Sequence, residues 1–390
     1  MRIPHYWLFI FLMLTAAAFF LYQEIQPPLS YDFAPAFDGN DYHQAYDYFT
    51  GQVDDYKVPF PFHGRILVPW LASLIGSGDA IGDFQWINLL FSLLAVWVLF
   101  KLWRQLGLEL PWFILGFGWL LFHWTGMIRL NAFDPITIDV PLYLFQGLFL
   151  LILFNRKFKW LLLLGPIACI QKESFLGILV LFTAFGWYHN HKRQEGYFDL
   201  KWIVASLLLS FGASQLTQFY FPPAEAGKNS IITLLYHARE VIMEPMKLLR
   251  WLLAAFMAFG PFLIAGAFKA GQRRHYDLRK NLLWLFSILY LLYGILAGGD
   301  MTRIVFLGFP FIMTAIMYEL RELKSKRLIL IGLLALPLTS LLSTIPDPAF
   351  EWEHWQSWYP EFAEMKALIL LAAYLSVNVI IVHVAKKQAL

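Results

Sequence analysis

Residues 82–103 read GDFQWINLLFSLLAVWVLFKLW, and among them only Asp83 and Lys101 carry a charge. A helix crosses the hydrocarbon of a bilayer with about 20 apolar residues. This stretch has that length and that composition, so it is read as a membrane-spanning helix. Similar runs recur along the chain near 5–22, 110–127, 136–154, 160–172, 174–188, 201–219, 247–268, 281–297, 304–320, 328–344 and 367–385. About twelve spans are therefore expected. The runs at 160–172 and 174–188 are too short to cross alone and read as a hairpin of short helices, with Gln171-Lys172-Glu173 near its turn.

Composition agrees with the periodicity. The 390 residues are 59% hydrophobic, 18% aromatic and 15% charged, whereas a soluble domain is about half apolar and a quarter charged. Too few charges remain to build a soluble surface, and too much apolar surface is present for disorder. The single cysteine, Cys169, excludes an intramolecular disulfide framework and a Cys-based metal cluster. The Lys/Arg clusters are short and lie between apolar runs, which argues against nucleic-acid binding. The expected fold class is an all-α polytopic membrane protein, one integral membrane domain over 1–390. Residue 1–22 is read as an uncleaved first helix rather than a signal peptide, because Phe19-Phe20-Leu21 continue the apolar run beyond Ala16-Ala17-Ala18.

Charge distribution sets an expected orientation. Lys and Arg collect in cytoplasmic loops. With the N-terminus inside and twelve alternating spans, 20 of the 30 Lys/Arg and only 6 of the 27 acids fall on the inner side, giving +14 inside and −11 outside for the net +3. Both termini are then cytoplasmic, and the acidic loops are extracytoplasmic.

Those outer segments hold the residues suited to chemistry. Residues 23–81 form a first outer loop with interfacial helices, and Asp38 and Asp41 lie in it among Tyr42, Tyr46 and Tyr48. Asp38 and Asp41 would share a face on a helix. Alternatively, Gly39-Asn40 turns the chain and Asp41 starts the helix. A carboxylate beside aromatic walls is desolvated and can be tuned as a general base. Arg65 opens a short interfacial helix over 66–78, with Trp70 at headgroup level; it either pairs with a loop acid or holds a phosphate. In RLNAFDPITIDVP (129–141), Asp134-Pro135 is expected to cap the fourth span. Asp139 then falls inside the membrane, with Arg129 as its expected counter-charge. Lys172-Glu173 either pair with neighbours or line a polar cavity. Asp300 is expected to cap the tenth span, with Arg303 one turn on; the two form a structural clasp, or Arg303 binds a lipid phosphate. The segment 345–366 contains DPAFEWEHWQSWYPEFAE and reads as an aromatic outer loop suited to the interface or to stacking on sugars. His354 and the other histidines have no metal-ligand spacing, and no P-loop, HExxH or GxSxG occurs. No metal or cofactor is expected.

Five short motifs occur in one order: FDGNDYHQAY (37–46), PFPFHGRILVPWLA (59–72), FDPITID (133–139), QKES (171–174) and GGDMTRIVFLGFP (298–310). Together with the layout, they make the chain resemble the GT-C superfamily of membrane glycosyltransferases, in particular a bacterial polyprenyl-phosphate-sugar-dependent type. The resemblance implies a GT-C-like bundle and an inverting transfer of sugar from a polyprenyl-phosphate donor to an acceptor glycan, lipid or protein outside the inner membrane, in the cell envelope. It implies a catalytic Asp at Asp38 or Asp41, and donor-phosphate contacts from Arg303, Arg65 or Lys172. Asp134, Asp139, Glu173, Asp300, Tyr42 and Arg129 would support them. The rival expectation is a secondary transporter with Asp139 and Lys172/Glu173 in the substrate path.

Overall fold

A computed structural model describes residues 3–322, except 27, 30, 32–36, 194–195, 226–229, 272–275 and 297–300. Beyond 322 it describes only 329, 332, 336, 365, 369, 372–373, 375–380 and 383. The described residues are all-helical. In chain order the helices are α1 (Tyr6–Ile25), α2 (Asp38–Thr50), α3 (Leu67–Ser73), α4 (Ala80–Gln105), α5 (Leu110–Phe122), α6 (Met127–Phe133), α7 (Val140–Phe154), α8 (Leu161–Gln171), α9 (Ser174–Arg193), α10 (Leu200–Tyr220), α11 (Ser230–Met243), α12 (Pro245–Gly271), α13 (Leu278–Leu296), α14 (Met301–Phe306) and α15 (Phe309–Leu320).

Among the described residues, six segments are long and apolar enough to cross a membrane: α1, α4, α5 with α6, α10, α12 and α13. This is compatible with a multi-pass membrane protein whose apolar helices contact a bilayer. The others are shorter or more polar. α7, α8 and α15 have 15, 11 and 12 residues. α9 is longer than the sequence reading allowed, at 20 residues, because it continues through His189-Asn190-His191 to Arg193. Most of the two expected spans after 322 lies outside the described residues, as do Asp300 and, apart from Met365, the aromatic loop 345–366.

The chain forms two compact units. One comprises 1–33, 99–133 and 231–390; the other comprises 34–98 and 134–230. In the first, Trp103, Phe113 and Phe117 pack ring against ring, and the Trp103 indole N–H donates to Thr314 Oγ1 at 2.9 Å. α12 breaks at Gly260, whose φ of 55° lies in the left-handed region open to glycine. Pro261 follows, and it has no N–H to give to the carbonyl of Met257 four residues earlier. His123 Nε2 takes that carbonyl at 2.9 Å, and the Trp119 indole N–H takes the next one, Ala258 O, at 2.8 Å. The C-terminal end of α5 and the residue that follows it therefore satisfy backbone groups that the break releases, as an apolar environment requires.

In the second unit α8 and α10 pack closely through small residues. A Cβ at Gly165 would collide with the hydroxyls of Ser206 and Ser210, and Ser206 Oγ donates to Leu161 O at 2.7 Å. Close approach through Gly and Ser is a usual way for apolar helices to associate. The candidate site is built at the ends of α7, α8 and α9, together with α2 and the residues just before α3.

Candidate functional site

The expected fourth span does not begin at Pro135. Residues 134–139 are irregular and buried, and α7 starts at Val140, with Asp139 in the N-cap position and Pro141 in the first turn. Two prolines could each open this helix. The β-branched run Ile136-Thr137-Ile138 favours extended backbone, so the helix starts at the second. Asp139 thus precedes α7 instead of lying inside a helix.

Irregular backbone buried among apolar helices leaves peptide groups to satisfy. Here side chains do it. Asn88 Nδ2 donates to Thr137 O at 3.0 Å and reaches Pro135 O at 3.5 Å, and Gln171 Nε2 donates to Ile138 O. Neither residue was singled out for this from the sequence. The readable signal was a polar side chain inside an apolar run, since Asn88 sits in the stretch 82–103.

Gln171 ends α8, Lys172 and Glu173 form the turn to α9, and each of the three grips a different partner. Lys172 Nζ lies 2.7 Å from Asp139 Oδ1. Lys172 is thus a counter-charge of Asp139, a partner that the sequence reading did not name for it. Glu173 receives two bonds from Arg65, Nε to Oε2 at 3.0 Å and Nη2 to Oε1 at 2.6 Å. Arg65 Nη1 donates to the Tyr42 hydroxyl at 3.0 Å, and the guanidinium lies over the Phe62 ring, 5.3 Å from its centroid. The Phe62 ring meets Tyr42 edge to face at 5.6 Å. Of its two sequence readings, Arg65 therefore shows the pairing with an acid.

α2 begins at Asp38, so Asp38 and Asp41 both lie in its first turn, on one face. Burial, followed by the negative charge of Asp38, raises the Asp41 carboxyl from 3.8 to about 6. Burial pushes the Tyr42 hydroxyl far above its usual range against the opposing pull of Arg65, with Asp38 and Asp139 adding their negative charge. Asp38, Arg65 and Asp139 therefore lie within electrostatic reach of one phenol. Burial also raises Glu173, but the Arg65 charge and hydrogen bonds outweigh it and hold the carboxyl below its usual range. His63, buried nearby, is held below its usual value by desolvation, only partly offset by Glu173.

A second cluster fixes α2 one turn further on, at Tyr46 on the same helix face as Tyr42. The Tyr46 hydroxyl donates to Asp83 Oδ2 at 2.8 Å, and Ser77 binds the same carboxylate through its N–H at 3.1 Å and its hydroxyl at 2.6 Å. α2 is thereby tied both to the start of α4 and, through Tyr42, to Arg65.

Arg129, in the first unit, is 2% exposed. It donates from Nε to Gln26 Oε1 at 3.3 Å and lies 4.9 Å from the centre of the Trp124 ring. Arg303 is in α14 of that unit. Asp134 begins the irregular segment at the edge of the second unit. The structure thus brings Asp38, Asp41, Tyr42, Arg65, Asp139, Lys172 and Glu173 together within one unit. Among the described residues, no group of three His, Cys, Asp or Glu side chains is placed to hold a metal ion. Comparison with protein-family models, with curated proteins and with solved structures gives no match for this chain.

Proposed function

We propose that the chain is an inverting membrane glycosyltransferase of GT-C type, moving a sugar from a polyprenyl-phosphate donor to an acceptor hydroxyl. The observation that carries this reading is Asp41: a partly buried carboxyl, raised to about 6, on a helix joined by Tyr42 to a buried arginine. A hydroxyl is a poor nucleophile near neutral pH, and a carboxylate poised in that range is suited to take its proton. In the proposed step the acceptor oxygen forms its bond to the anomeric carbon as the bond to the phosphate oxygen breaks. Asp41 receives the proton, and the electron pair leaves with the lipid phosphate. The leaving phosphate is already a stable anion, so it needs cations and no acid. Arg65 and Lys172 are the cations of this unit placed to meet it. Asp38 tunes Asp41. In this reading the site faces the extracytoplasmic side of a bacterial inner membrane, with both termini in the cytoplasm.

The deciding assay uses purified protein, a panel of polyprenyl-phosphate sugars and glycan, lipid and protein acceptors. Asp41→Asn should abolish transfer while leaving the protein folded. Full activity after Asp38 and Asp41 are both changed to Asn overturns the reading. The buried Lys172–Asp139 pair beside an unwound segment supports a second reading, a secondary transporter. Ion-gradient-driven uptake into proteoliposomes, lost in Asp139→Asn, would decide for it.

A further inference from the structure

In the site of the second unit, the two cations are already matched by carboxylates. Arg65 carries Glu173, and Lys172 carries Asp139. With Asp38 and Asp41 beside them, the cluster offers an incoming phosphate no net positive charge. An anion can bind there favourably only if one of the resident carboxylates gives up its place.

The two carboxylates differ in how readily they can leave. The Asp139 side chain is 6% exposed and lies beside the buried irregular segment, whereas the Glu173 side chain is 36% exposed. Glu173 sits in the turn, outside both flanking helices, so a change of rotamer returns its carboxylate to water without unwinding a helix. The Arg65 side chain beneath it is only 10% exposed, which makes its charge strong but screened from the outside by Glu173. Three of the five guanidinium N–H groups are engaged, two with Glu173 and one with Tyr42. The Nε/Nη2 edge is the fork that binds carboxylate and phosphate in the same two-bonded geometry.

Resting on the lipid-phosphate reading above, we infer that the Glu173 carboxylate is a resident stand-in for the donor's phosphate: the phosphate binds the Nε/Nη2 edge of Arg65 by displacing Glu173, and Tyr42 keeps the guanidinium in place during the exchange. Glu173 is then a specificity-determining residue. It withholds Arg65 from weak anions and yields it to a phosphate whose attached chain supplies further binding energy.

The test measures binding, not turnover. Full-length protein in detergent is titrated with a polyprenyl monophosphate and, separately, with inorganic phosphate. Wild type is compared with Glu173→Gln, Glu173→Asp, and Glu173→Gln combined with Arg65→Gln. Removing the competing charge should tighten polyprenyl monophosphate binding about tenfold in Glu173→Gln, the equivalent of one lost charge-assisted contact. Glu173→Asp, which keeps the charge but shortens its reach, should give a smaller gain. The gain should vanish when Arg65 is also replaced. Tightening of inorganic phosphate as well would assign the effect to the headgroup, and tightening of the lipid alone would show that the chain must be present. Unchanged or weaker binding in folded Glu173→Gln overturns the inference, as does a gain that survives loss of Arg65. If Glu173→Gln does not fold, the Glu173→Asp titration decides by the same criteria. The exchange and the enzyme reading fail separately. Tighter binding without sugar transfer refutes only the glycosyltransferase, and transfer without tighter binding refutes only the exchange.

Discussion

Lys172 Nζ and Asp139 Oδ1 stand 2.7 Å apart, joining the turn after α8 to the residue that precedes α7. Both side chains are largely buried, so neither charge has water to fall back on. Removing one partner of such a pair typically costs about 3 kcal/mol, because the other is left charged and unsolvated. We expect Asp139→Ala and Lys172→Met each to destabilise the protein by that order. The double variant should lose distinctly less than the sum of the two. Thermal unfolding in detergent, arranged as a double-mutant cycle, checks this. Strict additivity would mean that the two charges do not stabilise each other.

Asn88 should matter for a different reason. Its amide serves Thr137 O and Pro135 O in the buried segment between α6 and α7. Asn88→Leu keeps the branched shape but removes the donors, which should cost about 1–3 kcal/mol through the lost bond to Thr137 O. Asn88→Asp should be worse, since a carboxylate would face carbonyl oxygens. Equal melting temperatures for wild type and Asn88→Leu would show that the segment finds other partners.

These two sites mark how far the sequence could be read. The long spans were legible because apolar length is a strong signal; α4 and α10 fall within about two residues of their expected bounds. The pairing of Asp38 with Asp41 in one turn was also legible, as one of two alternatives, from their spacing. What escaped was set by contacts distant in sequence. Nothing local tells Arg65 that its partner is Glu173, 108 residues away, or tells Asp139 that Lys172 and not only a nearer cation is at hand. The start of α7 was misplaced because either proline could open it, and the choice fell to the β-branched residues between them.

The break in α12 gives a test in the first unit. His123 Nε2 serves Met257 O because Pro261 supplies no N–H. Replacing His123 with Phe should cost about 1–2 kcal/mol through the lost bond to Met257 O. In a Pro261→Ala background the same change should cost less, since Ala at 261 restores an N–H four residues on. A cost that is identical in both backgrounds, read from detergent melts, would separate His123 from the break.

Asp41 links the chemistry to pH. A general base acts in its deprotonated form, so transfer should fall on acidification through about pH 6, where Asp41 takes up its proton. Burial is the larger cause of that raised value and the Asp38 charge the smaller. Asp38→Asn should therefore move the acid limb of the rate profile to lower pH by part of the full displacement, with transfer still present. The same group weighs on stability in the opposite sense. Between 3.8 and about 6 the folded protein binds the Asp41 proton more tightly than the unfolded chain does, so stability falls as pH rises across that window. Asp41 is partly exposed, and solvent screening reduces the loss to about 1 kcal/mol. Asp41→Asn should accordingly be inactive and, above about pH 6, slightly more stable than wild type, the trade expected of a carboxylate kept ionised in a poor solvent for charge. An Asp41→Asn protein that melts lower than wild type at pH 7, or an Asp38→Asn rate profile that does not move, would remove the electrostatic basis for assigning the base to Asp41.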